Sequence, residues 1–222
     1  MSERPVARGS ATRTANKIKR RENILKSART ILANQDYDAF TLNLLATEAK
    51  VTIPTIHNLI GKKSDILKEL VGGTLTRVEE VLSIGDFSDP VLACEAFIDS
   101  LISLYQEDED FYKAAFVAGE RAKLFEHELP TGIFNKALKL ANQVCEQSVE
   151  TGYLMGNISS SQLAEQLFAN QRLARLDWIH GYIDLETYRK QVLIGMFITM
   201  AADATPEMHK RLMEKLERLH QE

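Results

Sequence analysis

The chain has 222 residues, 45% of them hydrophobic, with 27 Lys/Arg against 31 Asp/Glu for a formal net charge of −4. This is enough for one large or two small folded domains with a substantial core, and no run approaches the eighteen or so uncharged apolar residues of a membrane span. The basic, polar N-terminus lacks an apolar signal segment, so a cytoplasmic protein without a membrane partner is expected.

Cys94 and Cys145 lie far apart and outside any CxxC or Cys/His pattern, which argues against a disulfide framework and a structural zinc and for two small buried apolar residues. The charge is unevenly placed. Residues 1–70 hold 13 Lys/Arg and 7 Asp/Glu, net +6, leaving 14 and 24, net −10, for residues 71–222. A basic N-terminal third on an acidic body is the electrostatic footprint of a DNA-binding head.

Residues 1–14, MSERPVARGSATRT, mix Arg with Pro, Gly, Ser and Thr and read as a flexible arm. Its Arg4, Arg8 and Arg13 either add phosphate or minor-groove contacts or belong to a solvated tail. From Asn16 to Asn34 the pattern is helical, with Ile24, Leu25, Ala28, Ile31 and Leu32 on one face. Lys17, Lys19, Arg20 and Arg21 sit at the expected start of that helix, where they oppose the positive end of its dipole; charges placed at that cost hint at an anionic partner. A loop over Gln35 to Phe40 follows, with Tyr37 and Phe40 available to pack on the helix.

Residues 41–61, TLNLLATEAKVTIPTIHNLIG, read as a helix-turn-helix. Thr41 is placed to cap a first short helix whose Leu42, Leu45, Ala46 and Ala49 share a face. Periodicity then breaks at Lys50, Val51 and Thr52. Thr52 is a second N-cap, and Pro54 sits in the first turn, where its missing N–H costs little. Ile56, Leu59 and Ile60 point inward from this second helix, while Thr52, Thr55, His57 and Asn58 form a polar face able to reach base edges and phosphates in a major groove. Gly61, Lys62, Lys63 and Ser64 open a longer helix toward residue 84, its two lysines suited to a backbone phosphate. Gly72-Gly73 stands in its middle, at about 1 kcal/mol per residue relative to Ala, either for close approach of another helix or as a bend.

After the loop GDFSDP at residues 85–90, helices are expected near 90–106, 109–119, 130–152, 159–181, 184–203 and 206–220, with no alternating strand pattern. The fold class is therefore all-α: an N-terminal three-helix head with a helix-turn-helix over 15–62, a connecting helix over 63–84, and a helical body over 85–222.

From residue 21 to 67 the order and spacing of these pieces resemble the tetracycline-repressor (TetR) family of transcriptional regulators. The helix RENILKSARTIL, the aromatic loop DYDAFT, the pair Leu45-Ala46, the turn Ala49-Lys50-Val51-Thr52, the helix Pro54-Thr55-Ile56-His57 and the opening Gly61-Lys62-Lys63 carry the likeness. The sequence departs from the family pattern at three places. Lys50 stands where Gly is usual, which calls for a left-handed backbone at about 1 kcal/mol. His57 stands where a phosphate-contacting Tyr is usual, and Leu59-Ile60 replaces a His/Tyr-Phe ending.

The resemblance implies a homodimeric, ligand-responsive repressor of a near-palindromic DNA operator. Thr52, Thr55 and Asn58 are then assigned to base or phosphate readout, and Thr41, His57, Lys62, Lys63, Arg20 and Arg21 to the DNA backbone. It also implies a ligand pocket in the body and dimerisation through the last long helices. Apolar Leu185, Val192, Met196 and Met200 on the segment 184–203 are the dimer residues expected, in a four-helix interface.

Small residues among aromatics in FYKAAFVAGE leave room for a cavity near Phe116 and Glu120. Other candidate lining residues are Phe97, Leu101, Tyr105, Phe134, Leu138, Phe168, Gln171 and Trp178, with Asp99 as a second polar anchor. A hydrophobic or amphipathic effector suits such a lining. No cofactor or metal is expected. His57, His127, His180, His209 and His220 are scattered, Glu126-His127-Glu128 points its neighbours in different directions, and no nucleophile or phosphate-loop motif appears, so no enzyme is expected. The competing class is a helical small-molecule-binding or adaptor protein whose head no longer binds DNA.

Overall fold

A computed structural model describes residues 8–35, 37–83, 88–122 and 133–221. Ten α-helices run through them: α1 (Arg8–Asn34), α2 (Leu42–Glu48), α3 (Ile53–Leu59), α4 (Lys63–Ser83), α5 (Pro90–Gln106), α6 (Glu109–Arg121), α7 (Ile133–Glu150), α8 (Ser160–Ile179), α9 (Leu185–Ala201) and α10 (Pro206–Gln221). The helix order matches the all-α expectation, and the main revision is at the start. Helix α1 begins at Arg8, so residues 8–14 are helical rather than part of an arm, and Lys17 to Arg21 stand well inside a helix instead of at its positive end. Arg4 and Glu126-His127-Glu128 lie outside the described residues.

Local signals set the helix ends. Asp89 caps α5, accepting from the amides of Val91 and Leu92, with Pro90 in the first turn; Ser159 caps α8 through Gln162 and Asp184 caps α9 through Thr187.

The chain divides into two compact units, residues 1–73 with 110–122, and residues 74–109 with 123–222. The first unit is a head whose core joins Ile24, Ala28, Ile31, Leu32, Phe40, Leu45, Ala49, Ile56, Ile66, Leu67 and Ala118. Helix α6 thus groups with the head rather than with the segment 85–222. Its Phe111 ring lies 3.9 Å under the Arg29 guanidinium, and Arg121 pairs with Asp38 at 2.7 Å. The boundary crosses α4 directly after Gly73, and a Cβ added at Gly72 or Gly73 would meet nothing within 4 Å. Of the two readings of this glycine pair, close helix approach finds no neighbour there.

In the second unit α8 packs on both α7 and α9, α10 covers α9, and α5 touches α9 and α7. Gly195 is needed for the α8–α9 contact, because the Asn170 carboxamide occupies the space a Cβ would take. Cys94 and Cys145 are buried free thiols. Burial, with the neighbouring Cys145, Glu95 and Asp89, pushes the Cys94 thiol up to about 12, and burial beside Glu146 pushes Cys145 up to about 11. Burial likewise raises the Tyr188 phenol to about 12, against the opposing pull of Arg175 and Gln171.

These three groups hold their protons in the fold while the unfolded chain releases them from 9.0 and 10.0 upward. Their contribution to stability is therefore complete below pH 9 and is lost as pH rises toward 12. Urea midpoints measured from pH 8 upward are expected to fall through that window, and less steeply in Cys94→Ala; a flat profile would contradict the burial of these groups.

Candidate functional site

The helix-turn-helix is built as its sequence suggests. Thr41 caps α2 by accepting from the Leu44 amide at 3.2 Å, and Thr52 caps α3 by accepting from the Thr55 amide at 3.4 Å. Between them Lys50 adopts a left-handed backbone, φ 53°, where a glycine would be unstrained. Lys50→Gly is expected to raise stability by about 1 kcal/mol, read as a higher thermal midpoint; no gain would mean that the lysine side chain offsets the strain. Asn23 of α1 locks the turn by donating its Nδ2 to the Ala49 carbonyl at 2.9 Å, and Ile56 is fully buried beneath α3.

Thr52, His57 and Asn58 are exposed and Thr55 is half-buried, so one polar face of α3 is presented outward. The Thr52 and Thr55 hydroxyls bond each other at 2.9 Å, which holds both at the start of the helix. Gly61 then turns the chain with φ 135°, a conformation L side chains avoid, and a Cβ there would collide with an Asp65 carboxylate oxygen. That carboxylate accepts from the Lys62 amide at 2.9 Å and so starts α4.

Two of the expected backbone cations are committed elsewhere. Lys63 donates to the Tyr37 carbonyl at 3.4 Å and lies over the Tyr37 and Phe40 rings at 4.5 and 5.6 Å, tying α4 to the loop before α2. Arg21 pairs with Glu69 at 2.6 Å. Neither partner is close in sequence, so neither pairing had a local signal. Arg20, Thr41 and Lys62 are exposed.

In the body, several expected pocket residues are packed core. Leu101, Tyr105 and Trp178 are 1%, 1% and 0% exposed; the Tyr105 and Trp178 rings stack at 4.7 Å, with Tyr188 against both. The polar edges of this cluster are satisfied: Gln171 Nε2 donates to the Tyr188 hydroxyl at 2.9 Å and Trp178 Nε1 to Glu109 at 3.0 Å. Asp99 pairs with Arg189 on the surface. Phe97 is half-buried on α5, whereas Phe116 and Glu120 fall in the head unit, apart from the rest of the set. The Phe134 side chain lies outside those described.

Open space occurs instead between α7 and α8, in a groove of about 500 Å³ lined by Leu138, Phe168, Ala169, Leu173 and Leu176, with Asn135, Glu165 and Arg172 as polar members. Leu138 and Phe168 are the two expected lining residues that meet there.

No protein-family model and no curated protein matches the sequence. Solved structures match along nearly its whole length. CprB from S. coelicolor A3(2), a TetR-family protein, superposes with a TM-score of 0.66 at 16% identity, over 92% of this chain and 99% of CprB. A TetR-family transcriptional regulator from Marinobacter aquaeolei VT8 gives 0.63 at 16% identity, over 90% and 98%. SmeT, the repressor of the Stenotrophomonas maltophilia multidrug efflux pump SmeDEF, gives 0.62 at 18% identity, over 85% and 92%.

The fold is that of the TetR-family regulators.

Within this TetR fold the residues expected at a dimer interface, Leu185, Val192, Met196 and Met200, are 7%, 0%, 6% and 1% exposed in the single chain and pack in the protomer's own core. The apolar surface of the two helices is elsewhere, at Leu173 of α8 and Ile198 of α9, which are 62% and 57% exposed. Hydrophobic periodicity marks an apolar face but not which body covers it. No group of three or more metal-binding side chains occurs among the described residues, and no described helix is long and apolar enough to cross a membrane.

Proposed function

We propose that this protein is a dimeric, ligand-responsive DNA-binding transcriptional regulator, a repressor released from a near-palindromic operator by a small hydrophobic or amphipathic effector. The observation that carries the reading is the outward polar face of α3, Thr52, Thr55, His57 and Asn58, set on a buried core and fixed by two threonine caps and a left-handed turn. A helix so presented fits a major groove. Thr55 and Asn58 read base edges, while Thr41, His57 and Lys62 position the phosphate backbone. Lys63 and Arg21 act indirectly, by holding the head that presents them.

The fold's neighbours support the same class: one is a repressor of an efflux pump that also forms a complex with triclosan, and another is a γ-butyrolactone receptor. In this chain the α7–α8 groove, apolar with a few polar groups, suits an amphipathic effector. The glycine pair at the unit boundary in α4 gives the head freedom to change its spacing when effector binds. Ligand and operator then weaken each other's binding by the same factor.

A mobility-shift assay with the DNA flanking the protein's own gene tests the reading. Retardation by the wild type is expected. Asn58→Ala should cost about 1–3 kcal/mol on the preferred duplex and narrow its advantage over unrelated DNA. Absence of any shift at low salt would leave the adaptor reading.

A further inference from the structure

Helix α1 is longer than the head core requires. Its packed stretch begins at Ile24, and with Ala28, Ile31 and Leu32 this residue is buried in the core, where α1 contacts α2 and α3. N-terminal to it, all eight residues from Arg13 to Arg20 are exposed. A helical stretch without packing draws little stability of its own. This one carries Ile18, 53% exposed, and four cations, Arg13, Lys17, Lys19 and Arg20, with no carboxylate among them. Among the described residues none of these four cations makes an ion pair or side-chain hydrogen bond, whereas the next one along, Arg21, is paired with Glu69.

The direction of these charges follows from helical geometry. Positions spaced by three and four share a stripe, so Arg13, Lys17 and Arg20 continue the line of Ile24, Ala28 and Ile31, while Lys19 falls off it. That line is the one seated on the helix-turn-helix core. The bond from Asn23 to the Ala49 carbonyl fixes the level along α1 at which the turn between α2 and α3 lies. At 1.5 Å per residue, Arg20, Lys17 and Arg13 stand roughly 5, 9 and 15 Å beyond that level. The same turn leads straight into Thr52 and the first residues of α3. The three cations span about 10 Å, the rise of about three successive phosphates on one strand.

We infer that Arg13, Lys17 and Arg20 form a second DNA-contacting element, a cationic helical spur that grips the phosphate backbone beyond the bases read by α3. The inference rests on the DNA-binding reading above. It adds a surface set by charge alone, which raises affinity for every duplex and carries no sequence preference.

The test uses the full-length protein and a duplex carrying its preferred site, with binding measured against NaCl concentration. Replacing all three residues with Gln (Arg13→Gln, Lys17→Gln, Arg20→Gln) should lower the slope of log K against log salt by about 2.7 per bound head, about 0.9 for each phosphate contact. Affinity should fall on all duplexes while their ranking stays the same, and Lys replacing both arginines should restore the slope. Lys19→Gln should leave it nearly unchanged. Trimming the duplex to the outermost base read by α3 should bring the wild type down to the level of the triple variant. Because these side chains are exposed and Gln sustains a helix, circular dichroism should be unaltered. Specific binding with an unchanged slope in the triple variant would overturn the spur alone. So would an effect of Lys19→Gln equal to that of each stripe residue, which would reduce the effect to general charge. Failure of the wild type to bind any duplex would overturn the DNA-binding reading together with the spur.

Discussion

Asp203→Ala is expected to lower the free energy of unfolding by about 3–5 kcal/mol. The Asp203 carboxylate is fully buried, and its two oxygens accept from three backbone amides in the α7–α8 connection: Gly156 at 2.9 Å, Asn157 at 3.0 Å and Ile158 at 3.3 Å. Its own carbonyl accepts from the Met155 amide at 2.8 Å. Around it an isolated bridge joins Leu154 to Ala204, and the Thr205 amide donates to the Tyr153 carbonyl at 3.0 Å. One side chain therefore pins the end of α9 to the entry of α8. Hydrogen bonds to a charged acceptor contribute about 1.5–3 kcal/mol each, but three that share one carboxylate do not add in full, so their loss together with the void comes to about 3–5 kcal/mol. Asn keeps the shape but one oxygen fewer, so Asp203→Asn should fall between the two in urea unfolding. A loss below about 1 kcal/mol for the alanine variant would mean that water replaces the carboxylate without penalty.

The second large effect is expected at the surface of α8 and α9. Leu173, which also edges the α7–α8 groove, follows Asn170 by three residues on α8, Ile198 follows Gly195 by three on α9, and both are exposed in the single chain. An exposed apolar pair on two packed helices suits an isologous interface, in which the same patch of a second copy covers it. Leu173→Glu with Ile198→Glu places four carboxylates in such an interface and should give a monomer by light scattering. Operator affinity should then fall about 10²-fold or more, because the two heads no longer bind as one molecule. Folding of the protomer is expected to persist, since neither residue belongs to its core. A variant that stays dimeric would move the interface elsewhere.

How much was legible in the sequence depended on how local the cause was. The caps at Thr41 and Thr52, the strained turn at Lys50 and the helix boundaries of the body are set by residues within a turn or two of each other, and they stand where the pattern puts them. Lys63 on Tyr37 and Arg21 on Glu69 depend on neighbours 26 and 48 residues away, so both cations read as free for DNA until the fold is seen. The same limit applies to Val192 and Met196: periodicity shows that they face something apolar, and only packing shows that it is their own protomer. Tyr105 and Trp178 looked like a ligand's lining because aromatics line pockets and cores alike. Asp203 gave no signal at all, since its three donors lie 45 to 47 residues earlier in the chain.

The central claim, that this head reads DNA as a symmetric pair, is tested most directly by selecting a random duplex library with the full-length protein and sequencing what it retains. Enrichment of a near-palindrome is expected, its half-sites separated by about one helical turn or a multiple of it, with Asn58→Ala relaxing the preference within each half-site. A retained pool as random as the input, at a salt concentration where the protein is folded and dimeric, would contradict it.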